Sequence, residues 1–559
     1  MSKPSPELGP AQYGDEKKYI AGADIKDTVV SSPTLSERSN TEDEDELLAK
    51  NPFLDPVVAE RWRQTYEDAT YESRHVFDPT LTWTEEEEKA IIRKLDWRVC
   101  LWACVMFFSL QVDRGNLAQA VADNLLQDLG MTTDDYNYGN VVFYISFLLA
   151  ELPSQLVSKK IGPDRWIPMQ IMLWSVVAIS QCALTGRSTF LATRCLLGLL
   201  EGGFIPDIVL WLSYFYTSRE LPVRLSYFWT SLSLTTIITS LLAFALLRLR
   251  GVNGWGGWRW LFLVEGLITL TIGIVSFFMM PASAVQTKTW FRPKGWFTDR
   301  ETAIVVNRVL RDDPSKGDMH NRQAITPRRL WESMKDYDLW PLYAIGVIAY
   351  MPQGPPFVYL TLTLRNIGFD ALTTNLLTIP ASVLHIISLI IITRIARRFN
   401  ERTFVSMLQP LWTLPCIIAL RFWPNVVKDQ WGTFALTTVL LSYPYCHAIL
   451  VGWTSQNSNN VGARSVSASL YNMAVQLGNV FSTLIYKEAD KPLYHDGNTK
   501  LLIINILSIA LFLFTKAYYI FRNKQKKAAW DALSTDEKNH YTSTTKLQGS
   551  RRLDFRFAH

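Results

Sequence analysis

Long apolar blocks alternate with short polar connectors from about residue 99 to residue 521. Six precede a polar stretch at about 282–338, at approximately 99–121, 139–158, 166–185, 190–216, 225–248 and 258–280. Six more follow it, at approximately 339–364, 370–393, 403–422, 431–453, 464–486 and 500–521. A helix needs about 20 residues to cross a hydrocarbon core of roughly 30 Å, so each block is a candidate span. The pattern predicts an all-α membrane protein with two six-helix halves, residues 89–281 and 339–521, a connector at 282–338 and a C-terminal tail at 522–559.

The polar regions carry their own signals. Residues 1 to about 46 are rich in Ser, Thr, Asp, Glu and Lys, with an acidic run from Glu42 to Glu46. Such a stretch cannot bury enough apolar surface to fold, so 1–88 is expected as a largely disordered tail with one short helix near Val57 to Tyr71. Thr84-Glu85-Glu86-Glu87 has capping-box spacing and starts a helix that continues into the first span. Thr298-Asp299-Arg300-Glu301 is a second capping box, followed by an apolar stripe of Ile304, Val305, Val309 and Leu310. Thr326-Pro327 offers the start of a further helix with Leu330, Trp331 and Met334. Both connector helices are expected along the cytoplasmic face, the alternative being a flexible tether.

Composition sharpens this picture. Charged residues make up 19% of the chain and hydrophobic ones 48%, whereas a soluble enzyme carries about a quarter charged. The net charge of +5 suggests no nucleic-acid partner. The six cysteines lie in apolar blocks without metal-ligand or redox spacing, so they read as core residues without disulfides. The first 90 or so residues hold no signal-peptide core, which leaves insertion to the first helix. Lys89, Arg93, Lys94 and Arg98 before that helix, and Arg522, Lys524, Lys526 and Lys527 after the last, favour cytoplasmic termini. The loop from Gly115 to Tyr138, with four Asp and no Lys or Arg, agrees.

Candidate chemistry lies inside the spans. The apolar run 99–112 is too short to cross, so the first span must continue through Asp113 and Arg114. An ionisable group at that depth costs about 3 kcal/mol or more and marks an ion or substrate path. The fourth block adds Arg194 and Glu201, two helical turns apart on one face, with Gly198, Gly202 and Gly203 for close helix approach. Antiparallel spans put Asp113 and Arg194 at comparable depth, where they are expected to pair, with Glu201 roughly 10 Å further along. Gaining or losing an Arg partner can switch Asp113 or Glu201 between charged and neutral, and Arg114 is the candidate for a substrate anion. A static ion-pair network is the competing reading.

The second half offers neutral polar groups. Met351-Pro352-Gln353-Gly354-Pro355-Pro356 must break the seventh helix near the membrane middle, with Tyr350 and Gln353 facing a cavity. Tyr471, Asn472 and Gln476 form a polar stripe in the eleventh, with interhelical hydrogen bonding as the alternative. His385 and His447 are read as packing residues; Glu151, Asp207 and Glu265 remain undecided.

The two-times-six layout resembles the major facilitator superfamily. Within it, Asp113-Arg114-Gly115-Asn116 with Arg194, Leu197, Gly198 and Glu201 resembles the anion:cation symporter family. The segments TKTWFRPKGWFTDRE and VNRVLRDDPSKGD (287–318) and NSNNVGARSVSASLYNM (457–473) before DKPLY resemble its fungal allantoate permease group. The resemblance implies a twelve-helix facilitator fold, with Asp113, Arg114, Arg194 and Glu201 in proton coupling and organic-anion binding; Asp113, Arg194 and Glu201 are assigned to the proton and Arg114, with Asn116 beside it, to the substrate. It departs from the superfamily pattern after the second helix, where the loop is reduced to Lys159-Lys160-Ile161-Gly162-Pro163-Asp164-Arg165. The implied protein is a monomeric plasma-membrane symporter using the proton gradient and no cofactor, importing allantoate, a small peptide or a carboxylate vitamin. A drug/proton antiporter, disfavoured because the fifth block lacks Gly and Pro, and a non-transporting nutrient receptor are the rivals. No nucleophile, base and oxyanion site combine, so an enzyme is not expected.

Overall fold

A computed structural model describes residues 51–559, apart from 69–70, 218–219, 318–330, 332–333, 400, 427, 459–460, 493, 535–536, 539–540, 542–544 and 546–548. The expected disordered run at 1–46 and the Thr326-Pro327 helix start lie outside these residues. Pro52–His559 forms one compact unit.

The first half begins with α1 (Pro56–Asp68) and α2 (Glu85–Leu95), which passes through a π-helical turn, Asp96–Cys100, into α3 (Leu101–Ala122). Then come α4 (Thr133–Ile161), α5 (Pro163–Ser180), α6 (Arg187–Glu201), α7 (Phe204–Ser213), α8 (Leu221–Leu246) and α9 (Gly257–Met279). The connector supplies α10 (Asp299–Asp312). The second half comprises α11 (Trp340–Ile348), α12 (Gly354–Val358), α13 (Leu360–Asn366), α14 (Ala371–Leu377), α15 (Ile379–Phe399) and α16 (Thr403–Phe422). It ends with α17 (Gln430–Leu441), α18 (His447–Asn457), α19 (Val461–Thr483) and α20 (His495–Asp531).

Among the described residues nine helices are long and apolar enough to cross a membrane. The other three expected spans are the seventh and tenth, each broken into shorter helices, and the eleventh, diluted by its polar stripe. The predicted break of the seventh lies between α11 and α12. The tenth was expected as one run, yet Tyr443-Pro444-Tyr445 separates α17 from α18. Proline lacks the N–H that would continue the ladder.

Within the first half α4 packs on α6, α5 on α9, and α3 on both α8 and α9; in the second, α11 packs on α19 and α16 on α20. Close approach depends on glycine. A Cβ at Gly198 of α6 would stand 2.4 Å from the Phe143 carbonyl oxygen of α4, and one at Gly478 of α19 would stand 2.1 Å from that of Val347 in α11. The halves meet where α4 packs on α19 and α8 on α15.

Hydrogen bonds joining the halves gather at the end that carries the loop after α3. Asn137 Nδ2 donates to the Tyr486 carbonyl at 2.7 Å, and Tyr359 OH donates to Asn137 Oδ1 at 2.6 Å. The Thr133 N–H donates to Glu488 at 2.9 Å, and Thr361 Oγ1 donates to the Ala118 carbonyl at 2.7 Å.

At the opposite end, the stretch expected as a disordered tail is in part folded. Residues 52–68 and 71–84 pack on α10 and the turn after it: Asp78 N donates to Asn307 Oδ1 at 2.8 Å, and Tyr66 OH donates to the Pro314 carbonyl at 2.8 Å. Both capping boxes form. Lys94 pairs with Glu301, and Arg300 with Glu87 at 2.7 Å. Arg308, almost fully buried, pairs with Glu220 at 2.8 Å and donates to the Phe215 carbonyl at 3.0 Å. The apolar stripe of α10 is therefore covered by protein, because these segments offer it Tyr66, Phe77 and Ile91.

The last helix runs ten residues past its expected end at 521. The tail then returns: Asn457 of α18 bonds both backbone groups of Ala558, Asn523 both of Phe557, and the Phe557 ring stacks on Tyr519 at 5.2 Å.

Candidate functional site

Asp113 and Arg114 are neighbours on α3 and leave it about 100° apart. Arg114 turns toward α6, where its Nε donates to Glu201 Oε2 at 2.7 Å. The Glu201 side chain is 0% exposed and that of Arg114 20%. The guanidinium lies 4.7 Å from the Phe147 ring centre and 5.5 Å from that of Phe143, and Arg194 covers Phe143 at 4.5 Å. Aromatic faces thus replace part of the water that two buried cations lose. Arg194 also donates from Nη2 to Asn140 Oδ1 at 3.4 Å.

The expected pairing of Asp113 with Arg194 is not formed. Asp113 points to the other side of α3, accepts from Trp174 Nε1 of α5 at 3.1 Å, and lies beside Thr269 of α9. The rotation between adjacent residues accounts for the difference: matched depth does not bring two side chains to one face. Glu265 of α9 belongs to the same buried group, beside Asp113 and Asn116. Its signal was present, since it lies within the sixth apolar block.

One half thus gathers Asp113, Glu201 and Glu265 with Arg114 and Arg194. Arg114 Nη2, Arg194 Nε and Nη1, and Glu201 Oε1 are buried without a hydrogen-bond partner. Gln170 of α5 holds the gap between α6 and α7 by donating to the carbonyls of Leu200 at 3.2 Å and Gly202 at 3.1 Å. Nearer the α10 end, Asp207 is buried close to Glu151 and Ser158.

The second half presents rings. Tyr350 and Tyr471 share a hydroxyl contact of 3.0 Å. His447 lies 5.7 Å from Tyr350, 5.7 Å from Tyr471, 5.6 Å from Tyr445 and, from the first half, 5.4 Å from Trp229. His385 packs on Tyr443 at 4.8 Å. The two histidines are packed, as expected, but among aromatic faces. Trp229, Tyr443 and Tyr445 were missed; Pro444 between the two tyrosines marks a mid-span break by the logic that located Gln353. Gln353 Nε2 donates to the Ala349 carbonyl at 3.1 Å, which caps the α11 break, and Tyr443 lies beside it. Gln476 Oε1 accepts from Asn479 at 3.0 Å, and Asn472 is half-buried.

Residues 103–483 match the profile of the Major Facilitator Superfamily. The chain belongs to this superfamily. The facilitator is 43% identical over 528 residues to an uncharacterized transporter of Saccharomyces cerevisiae, covering 94% of this chain and 97% of that one. It is 26% identical to the major facilitator-type transporter hxnP of Emericella nidulans, over 71% of this chain and 78% of that protein. The partially occluded inward open xylose transporter XylE of E. coli shares the fold, with TM-score 0.54, 11% identity, and coverage of 76% here and 97% there. The facilitator is a multi-pass membrane protein and a secondary transporter, and it is not an enzyme.

Proposed function

We propose that this facilitator is a proton-coupled importer of a small organic anion, of the anion:cation symporter type and allantoate permease-like group, in the fungal plasma membrane with both termini cytoplasmic. The substrate is allantoate or a related ureido carboxylate, a small peptide or a carboxylate vitamin. The observation that carries this reading is the Arg114–Glu201 pair: a sealed carboxylate paired with an arginine whose side chain keeps a fifth of its surface accessible. An arriving carboxylate competes for Arg114. When Arg114 turns to it, Glu201 loses its counter-ion while still cut off from water, and a proton compensates. Anion and proton then travel together, with Asp113, Glu265 and Arg194 setting the field around them. In this assignment the bonded end after α3 faces outward, so the halves are closed to the outside, and alternating access proceeds by rocking around the site.

The test is expression in a transport-deficient fungus, with growth and labelled uptake profiled over nitrogen sources, sulfur sources and vitamins. The expected result is accumulation of an organic anion that a protonophore collapses, with Glu201→Gln abolishing the accumulation. Unchanged uptake with unchanged pH dependence in that variant removes Glu201 from coupling. Ligand binding without accumulation favours a receptor.

A further inference from the structure

Resting on the proposed anion site, we infer that the substrate is a ring-bearing carboxylate, whose flat ring is received by the aromatic cluster of Trp229, Tyr350, Tyr445, His447 and Tyr471. Three observations lead there. The first is position. Phe107 and Arg114 stand seven residues apart on α3, about two turns, and so project from one face about 10 Å from each other. Trp229 packs edge-on against Phe107 at 5.6 Å and against His447 at 5.4 Å. A substrate whose carboxylate sits on Arg114 and whose body lies along this face of α3 therefore reaches the level of these rings.

The second is chemistry. The cluster is contributed by both halves and consists of π faces and edges, with Tyr445 stacked on His447 at an interplanar angle of 20° and Trp229 meeting His447 at 71°. Trp229 and Tyr445 are half-buried and keep accessible surface, whereas Tyr471 is sealed. Rings favour another ring, edge-on or offset, over an alkyl body of the same size. An organic cation would also suit aromatic faces, but of the paired charges at the site the side chain that keeps accessible surface is Arg114, a cation, while Glu201 beside it is sealed and already paired. The third is an unpartnered polar atom: His447 Nδ1 is buried without a hydrogen-bond partner, and the residue is 6% exposed. A ring heteroatom or hydroxyl on the substrate would meet it.

The test compares benzoate with cyclohexanecarboxylate, equal in charge and close in size, and with allantoate. Binding is read on the purified full-length protein by calorimetry and by inhibition of labelled uptake. Benzoate is expected to bind about tenfold more tightly than its saturated analogue, the factor for roughly 1.4 kcal/mol of aromatic contact. Tyr445→Leu is expected to erase that preference, so that the affinity ratio of benzoate to cyclohexanecarboxylate falls to about one, and Trp229→Leu gives the same readout if the first variant fails to fold. Equal binding of the two ring acids, or a preference that survives both substitutions, overturns the ring assignment. Allantoate binding without either ring acid overturns it too, yet leaves the anion importer standing. If no carboxylate binds, both readings fall.

Discussion

A sealed carboxylate, a partly accessible arginine and a glycine with no room for a methyl group set the terms at the residue scale. Gly198 is constrained because its Cβ would strike a backbone oxygen that cannot rotate away. Gly198→Ala is therefore expected to push α6 from α4 and destabilise the protein by about 1–3 kcal/mol, the usual cost of overpacking. Gly452→Ala, with nothing within 4 Å of the added atom, is expected to be neutral or to stabilise by up to about 1 kcal/mol through helix propensity. Melting curves of the two variants in detergent compare them directly, and equal loss in both contradicts the packing argument. The charged residues of the site were legible because an ionisable side chain in an apolar run is costly wherever it occurs. Their partners were not. Depth follows from counting along a helix, but azimuth follows from how helices pack, and it gave Glu201 to Arg114 and left Asp113 to Trp174.

Helices show the same division. The two capping boxes, the α10 stripe and the break at Gln353 could be read locally, since each depends on residues a few positions apart. What covers the stripe could not, because α10 meets residues some 200 positions earlier. Arg308 is the fastening of that contact, 3% exposed in its side chain and bonded to Glu220 and to the Phe215 carbonyl. Breaking a buried pair costs about 3–5 kcal/mol by leaving the other charge uncompensated. Arg308→Met is therefore expected to loosen α10 from the start of α8, seen as faster protease cleavage in the connector while the membrane helices survive. Adding Glu220→Met should restore much of the protection, because the nearer and more buried of the two carboxylates that Arg308 holds, Glu220 at 2.8 Å rather than Glu88 at 3.6 Å, is then gone. Similar cleavage of the single and double variants would show that the pair does not hold the helix.

For the whole molecule, two halves of six helices were legible from spacing alone, but which end is closed depends on contacts between residues hundreds of positions apart. Asn137 is the pivot of that closure, 3% exposed and bonded at once to the Tyr486 carbonyl and the Tyr359 hydroxyl. Removing its amide strands both partners at a cost of about 1–3 kcal/mol in the closed state, a bias of roughly ten- to hundredfold toward opening. A cavity of about 420 Å³ at this end is lined from both halves, by Asn124 and Gln127 on one side and Leu362, Arg365 and Asp370 on the other. Leu362 is 8% exposed, so a cysteine placed there reports opening. With Leu362→Cys as background, Asn137→Ala is expected to speed modification by a membrane-impermeant thiol reagent by about the same roughly ten- to hundredfold factor. Gln127→Cys, exposed in the closed state, should react at a rate that Asn137→Ala leaves alone. Because a ligand that favours closure at this end opposes the substitution, adding substrate should slow the Leu362→Cys reaction. An unchanged rate in the Asn137→Ala protein would mean that closure is held by the remaining contacts of Thr133, Thr361 and Glu488.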